Sequence, residues 1–151
     1  MKMKLGFASD HRGFPLKEEL IKYFKDKYQI IDCGTNSTDS CDYPVYAYKL
    51  GQLIVNKQVD FGIAICGSGI GISIACNKIK GVYCAKVANS EEARYTREDN
   101  NTNCVAFGEK TSKEEAIKIV ETFISTEFTN LDKHNRRINI VKDIESGQYN
   151  G

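Results

Sequence analysis

Short apolar runs alternate along this chain with longer stretches whose apolar residues recur every three or four positions, and few folds accommodate that rhythm. The runs cover residues 3–8 (MKLGFA), 29–33 (QIIDC), 60–65 (DFGIAI), 81–87 and 103–107 (NCVAF), and each meets Gly, Asn or Ser within two residues. Their length and their punctuation read as strands. Between them lie helical patterns. Pro15 suits a first helical turn, followed by Leu16, Leu20, Ile21 and Phe24 at helical spacing. Residues 34–42 read as a polar loop, after which Pro44 opens a second helix whose buried face is expected to hold Val45, Tyr48, Leu53 and Val55. A short helix is expected over about 70–78, and Ser90 is expected to cap another, with Glu92 and Ala93 in its first turn. Ser112 opens a strongly amphipathic helix with Ile117, Val120, Ile124 and Phe128 on one stripe and Glu115 at the capping-box position. A break at Thr129 and Asn130 precedes a basic terminal helix over about 131–146. Five strands alternating with helices predict an α/β protein: a five-stranded parallel sheet, helices on both faces, right-handed crossovers.

At 151 residues the pattern fits one domain, 1–151. A formal net charge of +1 argues against nucleic-acid binding by bulk charge, and no run of 18 apolar residues offers a membrane span. The opening Met1-Lys2-Met3-Lys4 leads into the first strand without the small-residue site of a signal peptide. The six cysteines, Cys33, Cys41, Cys66, Cys76, Cys84 and Cys104, include no C-x-x-C pair. Free thiols in a reducing cytoplasm are therefore expected, most of them acting as small core hydrophobes.

In parallel α/β sheets the site gathers at the carboxyl ends of the strands. That rule draws attention to Asp10 and His11, the loop after Cys33, residues 66–71, 89–100 and 108–110. The sharpest feature among them is Cys66-Gly67-Ser68-Gly69-Ile70-Gly71, set between a buried strand and a helix. Three glycines at every second position leave the backbone bare, so that converging N–H groups and the helix start can cradle an anion. The spacing is neither that of a dinucleotide fingerprint nor that of a P-loop. The plainer reading is a tight turn with packing duties alone. At its mouth Cys66, as a thiolate, can serve as general base or nucleophile. His11 follows Asp10 at the same sheet edge and is one of only two histidines. The other, His134, lies in Lys133-His134-Asn135-Arg136-Arg137, where Lys133 and Arg137 share a helix face. A cationic face suits a phosphate ester, although charge alone fits a solvated helix better.

Taken together, Asp10-His11-Arg12-Gly13-Phe14, Asp32-Cys33-Gly34-Thr35, Asp42-Tyr43-Pro44, the run from Ile65 through Ser73, Asn77-Lys78, Asn100-Asn101-Thr102-Asn103 and Phe107-Gly108 resemble the type B ribose-5-phosphate isomerases. That family is similar to the subunits of galactose-6-phosphate isomerase. The resemblance runs from about Leu5 to Glu145. It implies a Rossmann-like three-layer α/β/α subunit that interconverts an aldose phosphate and its ketose phosphate without metal or organic cofactor. It also implies a homodimer, which can pair into a tetramer, with sites at the dimer interface and a C-terminal helix reaching the partner. By the same resemblance Cys66 is the base that moves a proton between C2 and C1, and Gly67, Ser68, Gly69, Ile70 and Gly71 hold the enediolate oxygens. Asp10, His11 and Asn100 contact the sugar near the ring, Lys110, Lys133 and Arg137 bind the phosphate, and Tyr43 and His134 also bind the substrate.

Four positions depart from the family pattern. Asp99 stands where a ring-opening histidine is usual, leaving that step to Asp99, to His11 or Asp10, or leaving the enzyme dependent on open-chain substrate. Lys110 and Lys133 replace common arginines, keeping the charge but losing the bidentate fork. Ser68 replaces a common threonine and keeps the hydroxyl. The resemblance points first to ribose 5-phosphate and ribulose 5-phosphate. The alternatives are a hexose phosphate such as allose 6-phosphate or galactose 6-phosphate, or a non-catalytic phosphosugar-binding module.

Overall fold

The computed structural model describes residues 2–151. Five strands, β1 (Lys4–Ser9), β2 (Gln29–Asp32), β3 (Phe61–Cys66), β4 (Cys84–Lys86) and β5 (Cys104–Gly108), form one parallel sheet in the order β2-β1-β3-β5-β4. The helices are α1 (Phe14–Phe24), α2 (Tyr43–Val55), α3 (Ile70–Asn77), α4 (Ser90–Asn100), α5 (Lys113–Ser125) and α6 (Asp132–Ser146). The expected Rossmann-like architecture is what forms.

The two faces of the sheet carry separate apolar clusters. Leu16, Leu20 and Phe24 of α1, Ala93 of α4 and Ile119, Val120 and Phe123 of α5 pack with Leu5, Phe7, Ile63, Ile65 and Phe107 on one face. On the other, Leu50 and Ile54 of α2 and Ile72 and Cys76 of α3 pack with Ala8, Ala64 and Ala106. Alternate strand residues thus serve opposite faces, as the pleat requires. Small residues face α2: a Cβ on Gly6 would meet Leu50 Cδ1 at 2.8 Å, and one on Gly62 would meet Ile54 Cδ1 at 2.7 Å. Because α1 and α3 leave the neighbouring strands β1 and β3 toward opposite faces, a crevice opens above those carboxyl ends.

Several local expectations are corrected. On α2 the buried residues are Ala47, Leu50, Gly51 and Ile54, whereas Val45 is 51 % and Tyr48 60 % exposed. The fourth strand shrinks from 81–87 to β4, because Gly81 takes φ +92° and the amides of Asn77 and Asn103 bind the backbone of Cys84 and Tyr83. Asn89, not Ser90, caps α4, its Oδ1 accepting the N–H of Glu92 at 2.9 Å. Ser112 does cap α5, but Glu115 turns away from the box to accept the N–H of Ser90 at 3.1 Å, tying α5 to the start of α4. Among the described residues no helix is long and apolar enough to cross a membrane.

Candidate active site

The turn after β3 is shaped by its glycines. Gly69 has φ +80°, and a Cβ there would lie 2.6 Å from the backbone carbon of Phe107, so both conformation and packing require glycine. A Cβ on Gly71 would meet the Tyr43 ring at 2.8 Å, which places that ring directly over the start of α3. Cys66 ends β3 under the exposed Ser68 and Ile70, is itself 4 % exposed, and its Sγ accepts the N–H of Gly69 at 3.2 Å. Ser68 Oγ accepts the N–H of Ile70 at 3.0 Å. Among the described residues no protein group accepts the N–H of Gly67, Ser68 or Gly71. Beside the sulfur, then, stand three amides with donor capacity to spare, at the start of a helix whose dipole favours negative charge there.

The end of β1 contributes the neighbouring groups. Asp10 is buried and its Oδ1 accepts the N–H groups of Arg12 and Gly13, each at 3.0 Å, which fixes the entry to α1. His11 Nδ1 accepts the N–H of Cys41 at 3.2 Å, so the neutral ring carries its proton on Nε2. The polar loop predicted over 34–42 thereby sets the tautomer of a histidine thirty residues away. Beneath this edge the wholly buried Lys17 binds both carboxylate oxygens of Asp32 at 2.8 and 3.0 Å, and Asp32 also accepts the N–H of Gly34. Burial, then the Asp32 charge, pushes the Cys33 thiol up to about 11, which leaves it protonated at neutral pH.

A cavity of about 680 Å³ opens beside the turn, lined by Arg12, Gly67, Ser68, Lys86, Glu109 and Lys110 among others. Lys110 stands where expected. Arg12, ion-paired to Glu109, and Lys86 were not singled out from the sequence. The signal was available, since Lys86 ends a strand and Arg12 follows Asp10-His11. Cys66, Asp10 and His11 do not line this cavity.

The remaining expected residues lie elsewhere. Helix α4 starts near the carboxyl end of β4 and runs back, so Asp99 and Asn100 reach the amino-terminal rim of the sheet. There Asn103, three residues on, binds the backbone of Gly81 and Tyr83. The opposite rims are about 13 Å apart along β5 alone. Asp99 Oδ1 lies 3.4 Å from Nε2 of the buried His134, which brings α6 to the same rim with Lys133 and Arg137 exposed on it. Arg97 pins the end of α4: it stacks on Phe61, its Nε donates to the Thr126 carbonyl at 3.1 Å, and its Nη1 donates to Asn101 Oδ1 at 3.0 Å and to the Thr102 carbonyl. Expecting all of residues 89–100 at the carboxyl edge is therefore corrected. Within this chain, Cys66, Ser68, Asp10, His11, Tyr43 and Lys110 assemble at one rim and Asp99, Asn100, Lys133, His134 and Arg137 at the other.

A Rossmann-like sheet with a thiol and a bare-amide turn at its switch point defines a class of small-molecule α/β enzyme. The model of the Ribose/Galactose Isomerase family matches residues 5–141. A putative sugar phosphate isomerase of Bacillus subtilis is 41 % identical over 150 residues, covering 95 % of this chain and 97 % of that protein. Ribose-5-phosphate isomerase B of Escherichia coli is 35 % identical over 94 % of this chain and 96 % of its own length. The structure of Clostridium thermocellum ribose-5-phosphate isomerase B superimposes with a TM-score of 0.93 at 39 % identity, covering 97 % of this chain and all of that one. That of the Mycoplasma genitalium enzyme with bound ribulose-5-phosphate gives 0.89 at 34 % identity, over 97 % of this chain and 98 % of that one. The chain belongs to the ribose/galactose isomerase family, and it is an aldose–ketose isomerase.

Proposed function

We propose that the enzyme interconverts ribose 5-phosphate and ribulose 5-phosphate through an enediolate, with the Cys66 thiolate as base. The observation that carries this reading is the pairing of the Cys66 sulfur with a turn whose Gly67, Ser68 and Gly71 amides have no other acceptor. The pentose substrate is supported by relatives named ribose-5-phosphate isomerases, one of them with ribulose-5-phosphate bound.

Cys66 removes the proton from C2 of the open-chain aldose and returns it to C1. The charge that develops on the substrate oxygens is met by the spare amides, preorganised by the strand end and by the left-handed Gly69. His11, with Nε2–H free to donate, and Asp10 orient the sugar hydroxyls, and Tyr43 walls the pocket over Gly71. Lys110 anchors the phosphate on the Cys66 side. Asp99, Asn100, Lys133, His134 and Arg137 come from the partner subunit, because one chain holds them at the far rim. A homodimer therefore completes each site. The exposed Val45, Tyr48, Ile70 and Ile74 on α2 and α3 give that partner an apolar surface to cover. Ring opening falls to Asp99 held by His134, or to His11 and Asp10.

The test is Cys66→Ser assayed with ribose 5-phosphate, alongside uptake of solvent deuterium at C2. Turnover and exchange are expected to fall together by about 10³-fold with unchanged circular dichroism. Near-normal turnover removes Cys66 as the base.

A further inference from the structure

Half of the six cysteines meet in a cluster that contains none of the residues assigned to the isomerase chemistry. Cys84 and Cys104 begin the adjacent parallel strands β4 and β5 and are register partners, so their side chains leave the same face of the sheet. Cys76, in the last turn of α3, comes down onto that face. The three sulfurs all lie within 4.8 Å of one another. All are free thiols; Cys76 and Cys104 are buried and Cys84 is half-buried. Three small core hydrophobes would fill this space equally well. What packing does not demand is that three separate elements aim polarizable donors at one point.

We propose that Cys76, Cys84 and Cys104 form a three-thiolate site for a soft, thiophilic d10 metal ion, Cu(I) or Zn(II). Thiolates select ions of this class, and both bind sulfur at about 2.3 Å. An ion at that distance holds its ligand sulfurs about 3.8–4.0 Å apart in tetrahedral or trigonal geometry, so each pair has to close by about 1 Å at most. A disulfide would need about 2.05 Å and would leave the third sulfur out. Each thiol that ligates releases its proton to solvent as the metal–sulfur bond forms. The surroundings suit such an ion: Ile72, Val82 and Ala106 belong to the same dry cluster. Asn77 clamps Cys84 from outside, accepting its N–H and donating to its carbonyl, both at 2.8 Å. Such outer contacts hold a ligand's backbone in place. Entry is through a cavity of about 210 Å³ that Cys84 lines with Asn77, Asn100 and Thr102.

No fourth His, Cys, Asp or Glu joins the group among the described residues. Cu(I) would therefore sit trigonally among the sulfurs, and Zn(II) would add a water from the cavity. The ion would tie the end of α3 to β4 and β5. Because α3 begins at the Gly69 turn, the clamp bears on the helix that presents the amides while lying at the rim remote from Cys66.

The experiment is anaerobic titration of the reduced full chain with Cu(I) against a competing chelator, and separately with Zn(II). One equivalent of at least one ion is expected, with a rise in Tm of about 5 °C at a hundredfold excess over Kd. Cys84→Ala should weaken binding at least 100-fold, while Cys33→Ala, Cys41→Ala and Cys66→Ala leave it within about threefold. X-ray absorption should count three sulfurs, alone for Cu(I) and with one oxygen for Zn(II). These arms also tell which ion is held. Retention of neither ion, binding indifferent to Cys84→Ala, or a shell of fewer than three sulfurs would overturn the proposal. The sulfur count is read on the unaltered chain and so does not depend on a variant that folds.

Discussion

The two rims of the sheet are built on different principles. At the carboxyl rim the backbone itself is the device: a left-handed glycine, a strand end and a helix start fix amides and a sulfur within one turn. At the amino rim side chains do the positioning: Arg97 ties the end of α4 to the end of α5 through Asn101 and Thr126, and the Asp99–His134 contact brings α6 alongside. In the first arrangement Gly69 admits no substitution, because a Cβ there would meet the Phe107 backbone at 2.6 Å. Departures from the family pattern fall on both rims, Ser68 and Lys110 at the first and Asp99 and Lys133 at the second. On the proposed reading each rim supplies half of a site, the reacting half held by backbone geometry and the recognising half by side-chain contacts.

The comparison breaks most visibly by complementation. Cys66→Ala and Arg137→Ala subunits, each almost inactive alone, are expected to recover about one quarter of wild-type activity when mixed and refolded. Half of the dimers are then mixed, and each mixed dimer holds one intact site. Absence of recovery would put both rims' residues in one subunit's site. Next, Gly69→Ala should cost about 10²- to 10³-fold in kcat, since it displaces the donor to Cys66 and the turn's amides together. A kcat within tenfold of wild type would mean that the turn is not the reacting half.

Beneath the carboxyl rim, Asp32→Ala leaves the fully buried Lys17 charge facing only Glu18, and urea denaturation should show a loss of about 3 kcal/mol. A change under 1 kcal/mol would show that rim to be less rigid than its packing suggests. The smallest effect belongs to the amino rim. The Tyr83 phenol is pushed up to about 12 by burial and by its hydrogen bond to Glu145 on α6, at 2.7 Å. Glu145→Gln removes the charge that penalises phenolate, so Tyr83 should ionise nearer 10 in an ultraviolet titration, with stability lower by about 1 kcal/mol. An unmoved titration would detach α6 from the rim.

The alternation of apolar runs with helical patterns located all five strands, and the rule of carboxyl ends found Asp10, His11, Cys66 and Lys110. Where it failed, the reasons are local and physical. Val45 and Tyr48 lie outside the buried stripe of α2 because the close approach of that helix selects Ala47, Leu50 and Gly51, which periodicity does not distinguish from larger neighbours. Lys17 gave no sign of burial, since its partner Asp32 lies on a different element. Lys86 went unmarked because a cation at a strand end means little until the adjoining cavity is seen.

What this chain settled through its order of residues alone was the path of the backbone: where strands begin, where glycine must bend, which thiol ends at a bare turn. Those are short-range matters, decided by φ angles and by the period of apolar residues. Only the folded sheet decided that α4 carries Asp99 and Asn100 to the rim opposite Cys66, and that three cysteines from three elements converge. Both depend on which strands become neighbours, and strand order is chosen by packing across the whole core rather than by any single segment.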